Sequence, residues 1–213
     1  MSGTFKLDRS SNALVDDAGR RFDPERRRWI ATSKKKAPAA LETLDAIAAV
    51  NWLQRESNYP LREPIGVIGP RAATAAQLAA ALKVGELLGD CRLTVLCGGR
   101  QGVMQAVCEG VARVGGLSIG LLPEMDTSEA NPFVSVPIAT GIGEARNALI
   151  ARASSCLIAI GDSLGTLSEV VLGRHFGKTV IGLEGAARLD GVKHVANARE
   201  AVQCVAEVVL GVA

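Results

Sequence analysis

The chain has 213 residues, nearly half of them apolar, so it is long enough to bury a substantial core as one domain with an extension. No apolar run approaches the roughly 20 residues of a membrane span, and the first residues lack the apolar segment of a signal peptide, so we expect a cytoplasmic protein without a membrane partner. The formal net charge is only +2, but residues 1–36 hold ten Lys or Arg against five Asp or Glu.

The first sixty residues predict an N-terminal arm followed by a helix. Asp16-Asp17-Ala18-Gly19 is typical of a hairpin turn, within either a small strand pair or an irregular arm. Lys34-Lys35-Lys36 is typical of an exposed connector. Apolar residues then recur at helical spacing and predict an amphipathic helix from about Pro38 to Glu56.

From Ile65 onward, short apolar runs alternate regularly with segments of helical pattern. The predicted strands are Ile65–Gly69, Leu93–Cys97, Ser118–Leu122, Val134–Ile138, Cys156–Ile160 and Thr179–Leu183. The predicted helices are Ala73–Leu88, Gly102–Arg113, Glu144–Ala153, Thr166–Phe176 and Ala198–Leu210. Continuous apolar strands between helices favour a parallel sheet covered on both faces. We therefore predict an α/β fold, a Rossmann-like doubly wound parallel sheet in three layers α/β/α with an N-terminal extension, divided into residues 1–60 and 61–213.

Three glycine-bearing turns follow predicted strands, at Gly69-Pro70-Arg71, Gly98–Gly102 and Gly161–Thr166. Because ligands of open α/β sheets bind beyond the carboxyl ends of the strands, we expect the three turns to converge on one ligand. Glycine at such turns can also serve close packing alone. The predicted phosphate-binding residues are Gly69, Arg71, Gly98, Gly99, Arg100, Gly102, Ser163, Gly165 and Thr166.

Arg146 and Glu169 are the predicted catalytic or ligand-orienting pair. The turn before Thr166 opens a helix, whose free N–H groups and dipole favour an anion. Glu169 falls one turn into that helix, and Arg146 can return to the same edge of the sheet. A guanidinium and a carboxylate beside a phosphate cradle indicate a nucleotide-like ligand. The alternative is an internal ion pair that only fixes the helix.

Several common sites are absent from the sequence. No glycine loop continues into Gly-Lys-Ser/Thr, and Gly66-x-x-Gly69 is not the dinucleotide fingerprint, so ordinary ATPases and NAD dehydrogenases are disfavoured. His175 and His194 have no metal-ligand spacing, and we predict no metal site. The five cysteines are widely spaced within apolar runs, which predicts buried free thiols.

The motifs carry a family resemblance over roughly Ile65 to Leu183. Gly98-Gly99-Arg100-Gln101-Gly102-Val103-Met104 resembles the first glycine motif of the Lonely Guy (LOG) group of the SLOG superfamily, once mislabelled lysine decarboxylases. Arg146 and Gly165-Thr166-Leu167-Ser168-Glu169 resemble that group's arginine and its second motif. Ala130-Asn131-Pro132-Phe133 and the stretch Thr140–Asn147 resemble the molybdenum cofactor carrier branch more closely.

The resemblance implies two alternatives for function. In a carrier, Asn147 joins the binding residues, no cofactor is required, and a molybdenum cofactor is a possible bound ligand. In a LOG-type phosphoribohydrolase, the chain cleaves the N-glycosidic bond of nucleoside 5′-monophosphates such as AMP or a cytokinin riboside monophosphate, with Glu169 stabilising positive charge or orienting water and Arg146 holding the substrate. Whether the chain is an enzyme stays open, although the carrier is favoured. The resemblance also implies a homo-oligomer, a dimer or tetramer.

One departure from the family pattern lies at the second motif. Asp162-Ser163 stand where the family has two glycines, so a carboxylate can repel phosphate there, or Asp162 points outward and Ser163 donates a hydrogen bond. A separate alternative is single-stranded nucleic-acid binding through Arg26-Arg27-Arg28, Trp29 and Lys34-Lys35-Lys36. We disfavour a nucleic-acid partner, because short charge runs are usually solvated and Trp29 can pack on the core or on another subunit.

Overall fold

The computed structural model describes residues 4–31 and 41–212, and these form two compact units. One unit comprises Met1–Leu61 and Gln203–Ala213, as far as these are described, and the other comprises Arg62–Val202. The predicted division into domains 1–60 and 61–213 stays a prediction. The predicted connector Lys34-Lys35-Lys36 lies outside the described residues.

The first unit is built on an antiparallel sheet. Its elements in the described residues before Leu61 are β1 (Phe5–Asp8), β2 (Ala13–Asp16), β3 (Arg21–Asp23), β4 (Arg28–Ile30), β5 (Leu41–Leu44) and α1 (Ala46–Arg55). The strand order is β4-β3-β2-β1-β5, and each neighbouring pair is antiparallel. The turn predicted at Asp16–Gly19 is present as the β2–β3 hairpin, because Gly19 N–H donates to Asp16 O and the glycine adopts φ +74°.

The helix predicted from about Pro38 to Glu56 is wrong in its first part. Residues 38–40 lie outside the described part of the chain, and Leu41–Leu44 form β5, which pairs with β1. The helix begins only after Asp45, whose carboxylate caps it by accepting a hydrogen bond from Ala48 N–H at 2.7 Å. Apolar residues three apart suit a helix, but the available edge of β1 overrides that local pattern.

Trp29 packs inside its own unit. Its ring stacks on Phe5 with the centroids 5.6 Å apart and meets Phe22 at 5.1 Å. The indole Nε1–H donates to the carbonyl of Leu210 at 2.7 Å. Trp29 is therefore a packing residue of this unit.

The second unit is built on a parallel sheet. Its elements are β6 (Ile65–Ile68), α2 (Ala75–Asp90), β7 (Val95–Cys97), α3 (Val103–Arg113), β8 (Ser118–Leu122), β9 (Val136–Ala139), a 3-10 turn (Gly143–Arg146), α4 (Asn147–Ala153), β10 (Leu157–Ile160), α5 (Leu164–His175), β11 (Val180–Leu183) and β12 (Val192–His194). The last helix, α6 (Ala198–Val209), contributes residues to both units.

The seven strands run in the order β12-β11-β10-β6-β7-β8-β9, and every neighbouring pair is parallel. Helices flank this sheet, so the predicted Rossmann-like, doubly wound three-layer fold is confirmed. The sheet grows in opposite directions from β6 and β10, which makes their boundary the topological switch point. Strand β12 was missing from the predicted elements because three residues of mixed polarity give no strand pattern.

The core of the second unit is aliphatic, as the scarcity of aromatic residues predicts. Ile68, Ile150, Leu157 and Val170 are fully buried between the central strands and the helices α4 and α5. The five cysteines are all buried free thiols, which confirms that prediction. Dense aliphatic packing of this kind holds the ends of the central strands in place.

Candidate functional site

A cavity of about 1070 Å³ opens at the switch point of the parallel sheet. The turns after β6, β7 and β10 contribute to its lining, together with the 3-10 turn and the first residues of α4 and α5. Ten of the twelve predicted site residues line it, namely Gly69, Arg71, Gly98, Arg100, Arg146, Asn147, Ser163, Gly165, Thr166 and Glu169. The volume suits a nucleotide-sized or pterin-sized ligand.

The amino end of α5 forms one wall of the cavity. Ser163 is the N-cap residue, and its Oγ accepts a hydrogen bond from Thr166 N–H at 3.1 Å and lies 2.8 Å from Thr166 Oγ1. A Cβ built on Gly165 would lie 3.9 Å from Ser163 Oγ and meet no closer atom, so the space above this backbone is open. The helix start therefore presents backbone N–H groups and its positive dipole end to the cavity.

Asp162 and Ser163, which stand where the family pattern has two glycines, both lie at this wall. Asp162 is exposed and lines the cavity, so its carboxylate adds negative charge at the rim. Ser163 has an extended backbone and uses its side chain to cap α5. The serine thus preserves the helix start that a glycine-rich turn would also allow.

Arg146 and Glu169 meet inside the cavity. Arg146 Nη1 lies 3.5 Å from Glu169 Oε1, and both residues are about nine-tenths or more buried. The guanidinium lies against Gly98, where an added Cβ would come within 2.7 Å of both terminal nitrogens. Glycine at this position therefore gives Arg146 its place beside the strand end.

The raised pKa of Glu169 favours the protonated carboxyl at pH 7. Burial raises its pKa to about 8, the nearby Arg146 guanidinium lowers it, and the charge of Glu144 raises it. A pair separation of 3.5 Å exceeds the usual 2.7–2.9 Å of a charge-assisted hydrogen bond. Arg146 thus keeps most of its hydrogen-bonding capacity, and Glu169 can act as a hydrogen-bond donor.

Asn147 begins α4 and is 5% exposed. Its Nδ2 donates to Ser168 Oγ at 3.0 Å, and the serine hydroxyl donates to Gly165 O at 2.7 Å. The Oδ1 atom of Asn147 is buried without a hydrogen-bond partner. An unpartnered acceptor in a cavity wall favours a ligand that carries a hydrogen-bond donor.

Arg100 forms a second cationic position. It pairs with Glu124, and its Nη1 lies 3.5 Å from Glu144 Oε1. Burial lowers the pKa of Arg100, the positive charge of Arg71 lowers it further, and Glu144 acts in the opposite direction. Three arginines, Arg71, Arg100 and Arg146, therefore line one cavity, and carboxylates lie close to Arg100 and Arg146.

Gly99 and Gly102 are the two predicted binding residues that lie outside the cavity lining. Gly99 adopts φ +74° against the backbone of Gly120, and its N–H donates to Cys97 Sγ at 3.4 Å. Gly102 adopts φ +73°, and a side chain there would collide with the carbonyl of Arg71. Both glycines therefore permit close backbone packing, which was the alternative to phosphate binding.

Two residues that are not among the predicted site residues also shape the site. Asn131 is buried, and its Nδ2 donates to the carbonyls of Gly99 and Arg100 at 2.9 and 3.2 Å, which fixes the loop carrying Arg100. The motif Ala130-Asn131-Pro132 was visible in the sequence, but its contact with a loop thirty residues away was not. Glu144 lies beside Arg100 and Arg146, and as one exposed carboxylate it has no distinguishing pattern.

The SLOG cluster4 family matches residues 62–209, which is more than half of the chain. The chain belongs to this family. A relative of this SLOG protein, an uncharacterized protein from Archaeoglobus fulgidus, is 35% identical over 138 residues, which cover 65% of the chain and 91% of the relative. The match contains all three glycine-bearing turns that meet at the cavity.

Two solved structures extend the comparison. The molybdenum cofactor binding protein of the phototrophic bacterium Rippkaea orientalis is 33% identical, with a TM-score of 0.66 over 70% of this chain and 99% of that protein. The molybdenum cofactor carrier protein of Chlamydomonas reinhardtii is also 33% identical, with a TM-score of 0.64 over 69% of this chain and 98% of that protein. These similarities support a ligand-binding SLOG protein.

Within residues 4–31 and 41–212, no group of three or more His, Cys, Asp or Glu side chains has the arrangement of a metal site. Over the same part of the chain, no helix is both long enough and apolar enough to cross a membrane.

Proposed function

We propose that this SLOG protein binds the molybdenum cofactor as a carrier, holding the phosphate of its pterin at the start of α5. The similarity to two molybdenum cofactor proteins over almost their whole length carries this proposal. In it, Gly165 and Thr166 approach the phosphate, and Arg146 neutralises its charge. The cofactor is cargo, and the homo-oligomer implied by the family resemblance is part of the same proposal.

The polar groups of the cavity suit a pterin. A pterin ring carries both hydrogen-bond donors and acceptors, and the cavity offers Asn147 Oδ1 as an unpartnered acceptor and the neutral carboxyl of Glu169 as a donor. A neutral Glu169 also avoids repelling the anionic end of the ligand. These contacts require no reacting group, which fits binding without turnover.

The test is native mass spectrometry of the purified protein after incubation with molybdenum cofactor released from a molybdoenzyme. We expect one cofactor per chain, with molybdenum in equal amount by elemental analysis. Arg146→Met should lose binding, whereas Arg152→Met, on an exposed position of α4, should retain it. Equal binding by wild type and Arg146→Met would reject the proposed site.

A second candidate function is hydrolysis of nucleoside 5′-monophosphates. The buried pair of Arg146 and Glu169 in a nucleotide-sized cavity favours it. A carboxyl with a pKa of about 8 is mostly protonated at pH 7, so base catalysis by Glu169 would strengthen as the pH rises through that value. Chromatographic detection of adenine released from AMP, lost in Glu169→Gln, would establish the hydrolase and demote the carrier.

A further inference from the structure

Glu144 lies between two arginines of the cavity, the buried Arg146 and the half-buried Arg100. Its Oε1 is 3.5 Å from Arg100 Nη1, and its Oε2 is 3.8 Å from Arg146 Nη2. The side chain of Glu144 is 67% exposed, whereas those of Arg100 and Arg146 are 16% and 6% exposed. One solvated carboxylate therefore lies near two guanidinium groups that are largely shielded from water, at distances longer than those of close ion pairs.

The backbone below Glu144 is held in place. Gly141 N–H donates to Glu124 O at 2.9 Å, and Gly143 N–H donates to Pro123 O at 3.1 Å. Gly143 adopts φ +59° at the start of the 3-10 turn. Because the main chain is fixed, the Glu144 carboxylate can leave the arginines only by rotation of its side chain, and its exposure leaves room for that rotation.

The arginines have capacity that Glu144 does not fill. The Nε atoms of Arg100 and Arg146 are buried without a hydrogen-bond partner. A guanidinium offers five N–H donors, and a phosphate offers three acceptor oxygens with up to two negative charges. A phosphate in place of the Glu144 carboxylate would bring more acceptor oxygens and more negative charge to the two guanidinium groups, which also contact Glu124 and Glu169.

We propose that Glu144 is an internal competitor for the ligand's phosphate: its carboxylate covers Arg100 and Arg146 in the free protein, and the phosphate replaces it on binding. This inference rests on the phosphate-binding part of the proposed function, and it is independent of whether the ligand is a pterin or a nucleotide. Glu144 is thus a specificity residue, because an anion must outcompete a carboxylate to enter. Singly charged anions such as acetate gain too little to do so.

The test uses Glu144→Gln in the full chain, with inorganic phosphate as the probe in isothermal titration calorimetry. We expect roughly 5- to 30-fold tighter phosphate binding, the range for no longer having to break one or two contacts between unit charges about 4 Å apart in water. Glu129→Gln is the matched control, because Glu129 is exposed, acts electrostatically on Arg100 and does not line the cavity. It should change phosphate affinity by less than about twofold.

The outcomes separate this inference from the proposed function. Unchanged or weaker phosphate binding in Glu144→Gln, or no phosphate binding in either protein, would overturn the inference. An equal gain in Glu129→Gln would also overturn it, because net charge alone would then explain the effect. Tighter phosphate binding in Glu144→Gln, without any cofactor binding, would support the inference and reject the carrier. Cofactor binding without tighter phosphate binding in Glu144→Gln would support the carrier and reject the inference.

Discussion

Glu169 Oε1 lies 3.5 Å from Arg146 Nη1 in a part of the cavity wall where both side chains are shielded from water. At a shorter distance, the Arg146 guanidinium would be engaged in an internal salt bridge and would be less available to a ligand. At this separation burial dominates, so the carboxyl holds its proton at pH 7 and the guanidinium keeps its charge for a ligand. The pair is therefore a cation beside a neutral acid.

Glu169→Gln should change how stability depends on pH. The pKa of Glu169 is about 8 in the folded chain, against 4.5 for an ordinary glutamate, so the folded state binds the extra proton between these values. The contribution of this group to the free energy of unfolding therefore falls as the pH rises through that window and is constant above it. Glutamine does not titrate, so the free energy of unfolding of Glu169→Gln relative to wild type should increase with pH, up to about 5 kcal/mol.

Urea unfolding of both proteins at about pH 5 and about pH 9 measures this difference. Glu129→Gln, at an exposed position, controls for the substitution itself. Parallel pH profiles of wild type and Glu169→Gln would contradict the neutral carboxyl.

Gly165→Ala should separate stability from binding. The new methyl group enters open space, with Ser163 Oγ at 3.9 Å as its nearest neighbour, so the fold should tolerate it or gain up to about 1 kcal/mol from helix propensity. The same methyl group keeps a phosphate from the backbone of α5, and we expect at least roughly tenfold weaker phosphate binding, a difference of about 1.4 kcal/mol.

Gly98→Ala provides the contrast, because its Cβ would press on the Arg146 guanidinium at 2.7 Å and should reduce both stability and binding. Thermal unfolding and phosphate calorimetry measure the two effects. Undiminished phosphate binding by Gly165→Ala would remove the start of α5 from the site.

Ser163→Ala should destabilise the second unit by about 1 kcal/mol, since it removes the N-cap acceptor for Thr166 N–H. Ser163→Asn supplies another side-chain oxygen and should restore most of the loss. Chemical denaturation of the three proteins is the measurement. If alanine and asparagine are equally destabilising, the serine acts through something other than capping.

Asn131→Ala should cost about 2–3 kcal/mol and loosen the loop that carries Arg100. The substitution removes two hydrogen bonds to the carbonyls of Gly99 and Arg100 and one from Phe133 N–H, of which the first is buried and the other two are partly buried. Asn131→Asp keeps the acceptor for Phe133 but turns a charged oxygen toward two carbonyls, so it should be worse than alanine at pH 7. Hydrogen exchange of residues 98–102 should rise in both variants, and an unchanged loop would refute the anchoring role.

The parallel sheet and the convergence of three turns were accessible from sequence, because buried strands give continuous apolar runs and parallel strands end at one edge. The roles of Gly99 and Gly102 were not, since a glycine that faces a ligand and one that faces a carbonyl look alike in sequence. Strand β5 was mistaken for helix because its partner, β1, is more than thirty residues away. The contacts of Asn131 and Glu144 were not predicted for the same reason, because they join residues that are far apart in the sequence.

The hydrogen bond from Trp29 to the carbonyl of Leu210 joins positions 181 residues apart in the chain. During synthesis, the strands before residue 45 emerge long before the residues from Gln203 onward that complete their unit. Closing so long a loop has an entropic cost, which is offset only when the contacts between the two ends of the chain form. We therefore expect the unit that contains β1 to complete its folding only after residues 203–212 have left the ribosome, and Trp29 fluorescence, measured in a variant without Trp52, would report that step.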